Sequence, residues 1–251
     1  MPLMQDIEIR ECTTLDEFAA CVALQREVFA LPDIEISPVR HLVVTKSAGG
    51  FTLGAFSNGL LVGFVLSVPA FLRGEKAFYS HMTAVSSEHQ SYGIGARLKW
   101  AQRERSLKEG VRFIKWTFEP WKARNAFFNL EKLGAIVREY HANFYGVDYA
   151  TAPQETEKIG LASDRLFGEW DLQSPKVKAL ADDGPFDEPR QVVREIVIPP
   201  SWHALVSRDV RQALEEQLRI RSGFEAAFSD GLVCRGFRRD DRSPAFLLFE
   251  D

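Results

Sequence analysis

The sequence predicts an α+β fold in which helices flank a mixed α/β sheet. Residues 51–85 contain consecutive apolar, β-rich runs separated by short turns, which is typical of antiparallel strands. Beyond residue 94, segments with helical periodicity alternate with short apolar runs, which favours parallel strands joined by helices. A length of 251 residues suits one elaborated domain or a domain with a small appendage.

Composition and charge limit the classes of partner. Hydrophobic residues make up 45% and charged residues 26% of the chain, which is the balance of a folded globular protein. The net charge of −4 gives no electrostatic reason to bind nucleic acid or an anionic membrane. We therefore expect neither partner.

The cysteines and the N-terminal residues indicate the compartment. Cys12, Cys21 and Cys234 follow no CxxC or Cys/His spacing, so we expect free buried thiols, no disulfide framework and no metal site. The first residues, MPLMQDIEIR, lack the basic and apolar segments of a signal peptide, and no apolar run approaches the length of about 18 residues that spans a membrane. These features predict a cytoplasmic protein.

The N-terminal elements are a strand and a helix. Residues 6–12 alternate in polarity and predict a strand, and residues 15–30 have near-helical apolar spacing. Thr14 and Glu17 have the spacing of a capping box at the start of this helix. Residues 32–50 contain two prolines and end in two glycines, so we expect a loop that includes a short helix.

Two tight turns organise the strands that follow. Ser57, Asn58 and Gly59 join two apolar, β-rich runs and give a strong hairpin signal. Arg73 and Gly74 form a second turn before the run KAFYSHMTAV. Three consecutive antiparallel strands are therefore predicted.

Residues 94–109 predict an amphipathic helix that ends at a glycine. Its expected apolar face consists of Ile94, Leu98, Ala101 and Leu107, with charged residues on the other face. A buried strand over 111–118, a second helix over 124–134 and further strands over 135–146 and 164–172 follow.

The sequence divides into three parts. Residues 1–172 form the main domain, and 173–190 are rich in Pro, Asp and Lys, which indicates an exposed linker. Residues 191–251 predict a small β-α-β-β subdomain with a long helix within 202–229. This subdomain carries no chemical motif, and we expect it to shape an acceptor cleft or a homodimer interface.

The loop EHQSYGIGARL, residues 88–98, lies between a strand and a helix. Free N–H groups and the positive end of the helix dipole converge at such a helix start, where glycines permit close approach of a phosphate. Backbone N–H groups from about Ser91 to Ala96 are therefore predicted to hold a pyrophosphate. The predicted binding residues of this loop are Gln90, Ser91, Tyr92, Gly93, Ile94, Gly95 and Ala96.

Two other glycine-rich phosphate loops fit less well. A Rossmann fingerprint is disfavoured because three hairpin-linked strands precede the loop and no third glycine has the right spacing. A Walker A loop needs GKS or GKT, whereas Ala96 and Arg97 follow the second glycine here.

The segments TAVSSEHQSYGIGARL and NAFFNLEKLGA resemble the two cofactor-side motifs of the GNAT superfamily of acyl-CoA-dependent N-acyltransferases. The resemblance covers roughly residues 6–172. It implies a GNAT-like fold, acetyl-CoA or another acyl-CoA as cofactor, and the coenzyme A pyrophosphate on the glycine loop. It also implies that the end of the strand, at Thr83, Ala84 and Val85, pairs with the pantetheine amides as an added strand would.

The resemblance places a base on the strand before the loop. Tyr79 and His81 lie on one face of this strand because side chains alternate with a period of two. His81 occupies an offset similar to a histidine of the arylalkylamine acetyltransferases, and its ordinary pKa near 6.5 suits proton removal. A hydrogen-bonded core histidine is the alternative interpretation. Tyr79 is predicted to contact the substrate.

The general acid is harder to assign. Many members of the family have a tyrosine four residues before the glycine of the later helix, where this chain has Leu130. Tyr145 or Tyr140 on the next strand could substitute, although a buried packing role suits each. Asn125 and Asn129 lie one turn apart and are predicted to contact the cofactor; helix capping and surface solvation are their alternatives.

The segment WTFEPWKARN is expected to lie across a cleft from His81. Glu119 is predicted to act as a base or bind an ammonium, and Arg124 to bind a carboxylate. Trp116 is predicted to line the acceptor site with Trp121, and Arg165 is a further carboxylate ligand. Packing in the core is the alternative for both tryptophans.

The predicted function is transfer of an acetyl or other short acyl group, such as succinyl, from coenzyme A to a primary amine of a small metabolite by direct attack. Amino acids are a suitable acceptor class because the arginines could bind a carboxylate. A non-catalytic CoA-binding regulatory module is one alternative, and a protein lysine or N-terminal acetyltransferase is the other.

Overall fold

A computed structural model describes residues 7–29, 31–146 and 160–251 of the chain. The chain divides into two compact units, Met1–Lys115 and Trp116–Asp251, each of which is described by itself. The first unit contains β1 (Ile7–Glu11), α1 (Leu15–Phe29), α2 (Val39–Ser47), β2 (Phe51–Ser57), β3 (Leu60–Leu72), β4 (Glu75–Val85), α3 (Ile94–Lys108) and the first residues of β5 (Phe113–Phe118).

The sheet of the first unit is mixed, as the sequence predicts. Strands β1 to β4 form consecutive antiparallel pairs, and β5 pairs with β4 in parallel. Both predicted hairpin turns are confirmed. Asn58 and Gly59 have φ of 49° and 81°, and Arg73 and Gly74 have φ of 50° and 83°. Consecutive left-handed residues are the requirement of a two-residue turn whose twist matches that of the strands.

Helices α1 and α2 pack on one face of this sheet, and α3 packs on the other. On β3, Phe64 and Leu66 belong to the apolar cluster that α1 and α2 cover. Gly63, on the opposite face, is so close to α3 that an added Cβ would lie 3.2 Å from a methyl of Leu98. The period of two along a strand explains the division.

The predicted capping box of α1 is confirmed. The Glu17 amide donates to the Thr14 hydroxyl over 3.2 Å, and the Thr14 amide donates to the Glu17 carboxylate over 3.1 Å. The Thr13 amide also donates to this carboxylate, and these backbone bonds are the main reason that the pKa of Glu17 falls to about 2. The first turn of the helix is thus satisfied locally.

The buried face of α3 differs from the predicted one. Ile94 and Leu98 are buried as expected, but Ala101 and Leu107 are only partly buried. Three polar residues complete the buried face instead: Lys99, Gln102 and Ser106. The prediction from apolar spacing was wrong here because the sheet beneath α3 offers polar partners.

The second unit contains the end of β5, α4 (Ala123–Phe127), β6 (Ile136–His141), β7 (Arg165–Asp171), α5 (Pro175–Ala181), β8 (Arg194–Val197), α6 (Trp202–Arg208), α7 (Val210–Ser229), β9 (Val233–Arg238) and β10 (Ala245–Phe249). Its strands follow the order β5-β7-β6-β9-β10-β8. The pairs β6–β7, β6–β9, β9–β10 and β8–β10 are antiparallel.

The predicted exposed linker, 173–190, begins with the helix α5. Ser174 caps this helix by accepting from the Val177 amide over 3.4 Å, and Pro175 occupies its first position. Val177 is fully buried. The linker prediction was therefore wrong for these residues, because a Ser-Pro pair is a helix start as well as a loop signal.

Two segments predicted as single helices, 202–229 and 124–134, each contain two helical elements. Asp209 is extended, with φ of −156°, and its carboxylate caps α7 by accepting from the Arg211 and Gln212 amides. The predicted helix over 202–229 is consequently α6 followed by α7. Helix α4 continues as a π-helical turn over Phe128–Lys132.

The compact units divide after Lys115, so the predicted domain boundary at residue 172 stays a prediction. Among the described residues, no helix is long and apolar enough to cross a membrane. The same part of the chain contains no cluster of three His, Cys, Asp or Glu side chains that could hold a metal ion. Cys12, Cys21 and Cys234 are buried free thiols.

Candidate active site

The glycine loop lies at the carboxyl end of β4, where the predicted phosphate-binding residues form one continuous segment. Ser91 and Gly93 have left-handed φ of 70° and 77°. Gly93 is the N-cap of α3, and no side chain caps the helix. The first amides of a helix have no partner within it, so the N–H groups at the start of α3 are available to an anion.

The loop before these amides is fixed by side-chain contacts. The Gln90 amide donates to the Val85 carbonyl over 3.1 Å. Glu27 on α1 accepts from the backbone N–H and the hydroxyl of Ser87, each over 3.0 Å. Because these bonds form within the protein itself, the loop has its shape before a ligand binds.

Gly95 is a glycine that the protein's own packing does not require. A Cβ added there would meet only a methyl of Val85, at 3.9 Å, and the residue is not left-handed. The space in front of the first helical turn is therefore open. Ile94 is buried beside it and anchors the turn, whereas Tyr92 is half exposed.

The end of β4 has one backbone edge that no strand of the described residues pairs with. Thr83, Ala84 and Val85 pair with β3 on one side. The pairing of β4 with β5 covers only Ala77–Tyr79, so beyond Tyr79 the second edge of β4 has no strand partner within the described ranges. An extended amide-bearing ligand fits such an edge.

A β-bulge in β4 centres on His81. Ser80 pairs with Ser67 of β3 and Met82 pairs with the adjacent Leu66, so His81 is the extra residue of the bulged strand. Bulges redirect side chains and are frequent beside active sites. The shift explains why Met82 as well as His81 lies on the face of α1 and α2.

His81 belongs to a small polar cluster on this face. Its ring centroid lies 6.4 Å from that of Tyr79 and 5.7 Å from that of His41, which α2 supplies. The Ser37 hydroxyl lies 3.4 Å from Nε2 of His81. Tyr79 and His81 are thus neighbours, as the strand period predicts.

The environment of His81 keeps its imidazole neutral. His81 is an exposed residue, but neighbouring protein atoms desolvate its ring in part. This desolvation, and then the charge of His41, lower the pKa of His81 below its ordinary value of 6.5. A neutral imidazole near pH 7 is able to accept a proton.

Sequence reasoning missed His41 and Ser37. Both lie in the segment that was expected to be a loop with a short helix. Their residue types are common on such segments, and only the packing of α2 on the sheet brings them to His81. No local sequence signal identifies them.

The second unit contains the other predicted site residues. Glu119 follows β5 and forms an ion pair with Lys122, with 2.5 Å between Nζ and the carboxylate. Trp116 on β5 is buried, and its ring is perpendicular to that of Trp170 at 5.9 Å between centroids. Trp121 is buried too, stacked on Trp202. Both tryptophans pack in the interior, so a role in lining the acceptor site stays a prediction.

Arg124 lines a cavity of about 300 Å³ in the second unit. Arg239, from the turn between β9 and β10, lines the same cavity and lies over the ring of Phe127 at 5.7 Å. The other lining residues are Ala123, Phe127, Pro200, Asp240, Asp241 and Pro244. The cavity thus combines two guanidinium groups, two carboxylates and apolar surface.

The helix after β5 contains the predicted amides. The Asn129 side chain donates to that of Asn125 over 3.3 Å, and Asn129 is 3% exposed, so the alternative of surface solvation is wrong for it. Leu130, at the position where the GNAT resemblance implies a tyrosine, is fully buried. This position therefore supplies no general acid.

The two tyrosines considered as substitutes differ in their environment. The Tyr140 hydroxyl donates to Asp164 over 2.6 Å; burial and this bond raise the pKa of Tyr140, so it holds its proton. The Tyr145 side chain is more exposed; its hydroxyl lies 3.1 Å from that of Thr117, and Arg165 stacks over its ring at 5.2 Å. A role of Tyr145 as the general acid stays a prediction.

No protein-family model and no curated protein matches the chain. Solved structures do match it. An N-acetyltransferase from Staphylococcus aureus Mu50 has a TM-score of 0.52 and 14% identity, over 67% of this chain and 100% of the other. The ribosomal-protein-S18-alanine N-acetyltransferase from Escherichia coli has a TM-score of 0.51 and 15% identity, over 67% and 95%.

A GNAT family acetyltransferase from Elizabethkingia anophelis, with acetyl-CoA bound, has a TM-score of 0.50 and 15% identity, over 67% of this chain and 99% of the other. At such low sequence identity, structural similarity shows the fold alone. Together with the mixed sheet, it confirms the predicted fold: this chain has the fold of the GNAT acetyltransferases.

Proposed function

We propose that the protein is an acyl-CoA-dependent N-acyltransferase that transfers an acetyl or another short acyl group, such as succinyl, to a primary amine of a small metabolite. The observation that carries the proposal is the uncapped start of α3 beside the left-handed residues Ser91 and Gly93. A similar fold, that of the Elizabethkingia anophelis enzyme, holds acetyl-CoA. In this proposal the location is cytoplasmic.

The residues of the first unit fit coenzyme A. The amides around Gly93 to Ala96 would hold the diphosphate, because they converge with the positive end of the helix dipole. The edge of β4 at Thr83–Val85 that has no strand partner in the described ranges would pair with the amides of pantetheine. Asn125 and Asn129 are the polar residues of the second unit proposed for the cofactor. Bound acyl-CoA supplies an activated thioester.

His81 is the proposed general base. Its imidazole, neutral because desolvation and His41 lower its pKa, accepts the proton of the attacking amine. Glu119 is the alternative base, although its ion pair with Lys122 would have to open. Tyr145 is the proposed donor to the leaving thiolate, since the Tyr140 hydroxyl is committed to Asp164.

The cavity at Arg124 and Arg239 supports a carboxylate-bearing ligand. Two guanidinium groups bind a carboxylate well, and Asp241 and the apolar lining suit a small molecule that also carries an ammonium. We propose amino acids as the acceptor class, with Arg165 and Tyr79 as further substrate contacts.

A thiol-release assay tests the proposal. Acetyl-CoA and succinyl-CoA are each offered with a panel of amino acids, polyamines and peptides. We expect His81→Ala to lower kcat by about 10²-fold or more, the usual contribution of a positioned base. His203→Ala, an exposed histidine on α6, is the matched control and should leave kcat unchanged. Equal activity of His81→Ala and wild type would refute the base assignment.

A second candidate is a CoA-binding module without catalysis, which the buried Leu130 at the usual acid position favours. Tight coenzyme A binding without transfer to any acceptor would support that candidate. A protein acetyltransferase is the third candidate, since similar folds include the enzyme of Escherichia coli named for an alanine of ribosomal protein S18. Transfer to peptides alone would support it.

A further inference from the structure

A network of buried polar side chains joins α3 to β3 and β4. The Lys99 ammonium donates to the Ser80 hydroxyl over 3.0 Å and to the Gln102 side chain over 2.6 Å. The Gln102 amide in turn donates to the Ser67 hydroxyl over 2.7 Å. The exposed fraction of each of these four residues is 6% or less.

The network is centred on the bulge that presents His81. Ser67 and Ser80 form the last regular pair before the extra residue, so the two hydroxyls mark the point at which the register of β3 and β4 shifts. Their side chains face α3, whereas His81 faces α2. The network therefore holds the strands from the face opposite the imidazole.

Polar groups at this position are costly unless each one is bonded. A buried hydroxyl or amide without a partner loses its hydration, so the bonds among Lys99, Gln102, Ser67 and Ser80 favour one arrangement of the strands. A slip of the register would move Ser80 to the other face and leave Lys99 without that acceptor. The network thus favours the bulged register of β4 over other registers of β4 against β3. A purely apolar face would tolerate those other registers.

We propose that Lys99 and Ser80, with Gln102 and Ser67, are positioning residues that fix the β4 bulge and so hold His81 in its reactive orientation. This inference rests on the proposed role of His81 as general base. It assigns a function to an ammonium that the mechanism itself does not use. Desolvation lowers the pKa of Lys99 to about 7. A lysine buried in this way is suited to holding the strands in place rather than to carrying a solvated charge.

Steady-state kinetics on Ser80→Ala and Lys99→Met test the proposal. We expect each change to lower kcat about tenfold, because a displaced base loses its alignment with the amine. The KM for the acyl donor should stay within about twofold, since the glycine loop keeps its own bonds to Glu27 and Val85. Ser106→Ala is the matched control, because its buried hydroxyl donates to the Gln102 main-chain carbonyl within α3.

A double-mutant cycle separates positioning from general stability. In the His81→Ala background, Ser80→Ala should cause no further loss of kcat, since the network acts through the imidazole. An equal loss in both backgrounds would overturn the proposal. Ser80→Thr, which keeps the hydroxyl, should restore most of the lost rate.

An NMR measurement keeps the proposal testable if no acyl transfer is found. The imidazole resonances of His81, assigned with a His81→Gln variant, should shift in Ser80→Ala and Lys99→Met but not in Ser106→Ala. Unchanged His81 resonances in both network variants would refute the positioning role whether or not the protein is an acyltransferase. Shifted resonances without turnover would refute only the proposed function.

Discussion

The stability of the first unit depends on pH through Lys99, and the change in unfolding free energy follows from the pKa of this side chain. Burial lowers its pKa from 10.5 to about 7 in the folded protein. Between these two values the unfolded chain binds a proton that the folded chain has released, so stability rises with pH across this window. Below about pH 7 both states carry the proton, and the full cost of the buried charge is present.

The size of the effect follows from the two pKa values. The difference between 10.5 and about 7 corresponds to about 5 kcal/mol of unfolding free energy, of which about 2–3 kcal/mol falls between roughly pH 7.5 and 9.5. Lys99→Met keeps the length of the side chain and removes this proton. Relative to Lys99→Met, the wild type should therefore gain about 2–3 kcal/mol over that range.

Urea denaturation of both proteins at several pH values measures the difference. Other groups titrate in the same range, and the comparison cancels them because they are common to both proteins. Lys108→Met provides the control, since Lys108 is exposed at the end of the same helix. A free-energy difference between wild type and Lys99→Met that stays constant with pH would show that Lys99 remains charged when folded, which refutes the burial argument.

Three further changes address the site. His41→Gln removes the charge that helps to lower the pKa of His81, so the acidic limb of the pH profile of kcat/KM should move to higher pH; an unmoved limb would exclude the coupling. Gly95→Asp places a carboxylate at the helix start, where it stabilises the helix but repels a diphosphate. The affinity for coenzyme A, measured by calorimetry, should therefore be at least about tenfold lower for Gly95→Asp than for the uncharged variant Gly95→Asn. Tyr145→Phe should lower kcat more than Tyr140→Phe if Tyr145 protonates the thiolate, and the reverse order would reject that role.

The parts of this structure that follow from sequence are those with local causes. Asn58 and Gly59 predict a hairpin because few other residue pairs adopt two left-handed conformations in a row. Thr14 and Glu17 predict a helix start because their side chains satisfy the first amides themselves. The glycine loop, residues 88–98, belongs to this class, since its glycines and the helix start are adjacent in the chain.

The rest depends on contacts that sequence spacing does not encode. Nothing in the run KAFYSHMTAV interrupts the strand pattern or marks the bulge at His81. The bulge arises from a register shift in the pairing of β4 with β3. His41 is brought to His81 only by the packing of α2. Lys99 and Gln102 look like residues of a solvated helix face, and their burial follows from the two serines beneath them.

Replacing the whole network tests whether its polarity serves stability or function. In the quadruple variant Ser67→Ala, Ser80→Ala, Lys99→Met and Gln102→Leu, both partners of each of the three hydrogen bonds of the network are removed together. Such exchanges are often neutral or stabilising by about 1–4 kcal/mol, and here the cost of the buried ammonium near neutral pH also disappears. We therefore expect the variant to be at least as resistant to urea as wild type but slower in acyl transfer. A variant that is stable and fully active would show that the buried polar groups are not needed to present His81.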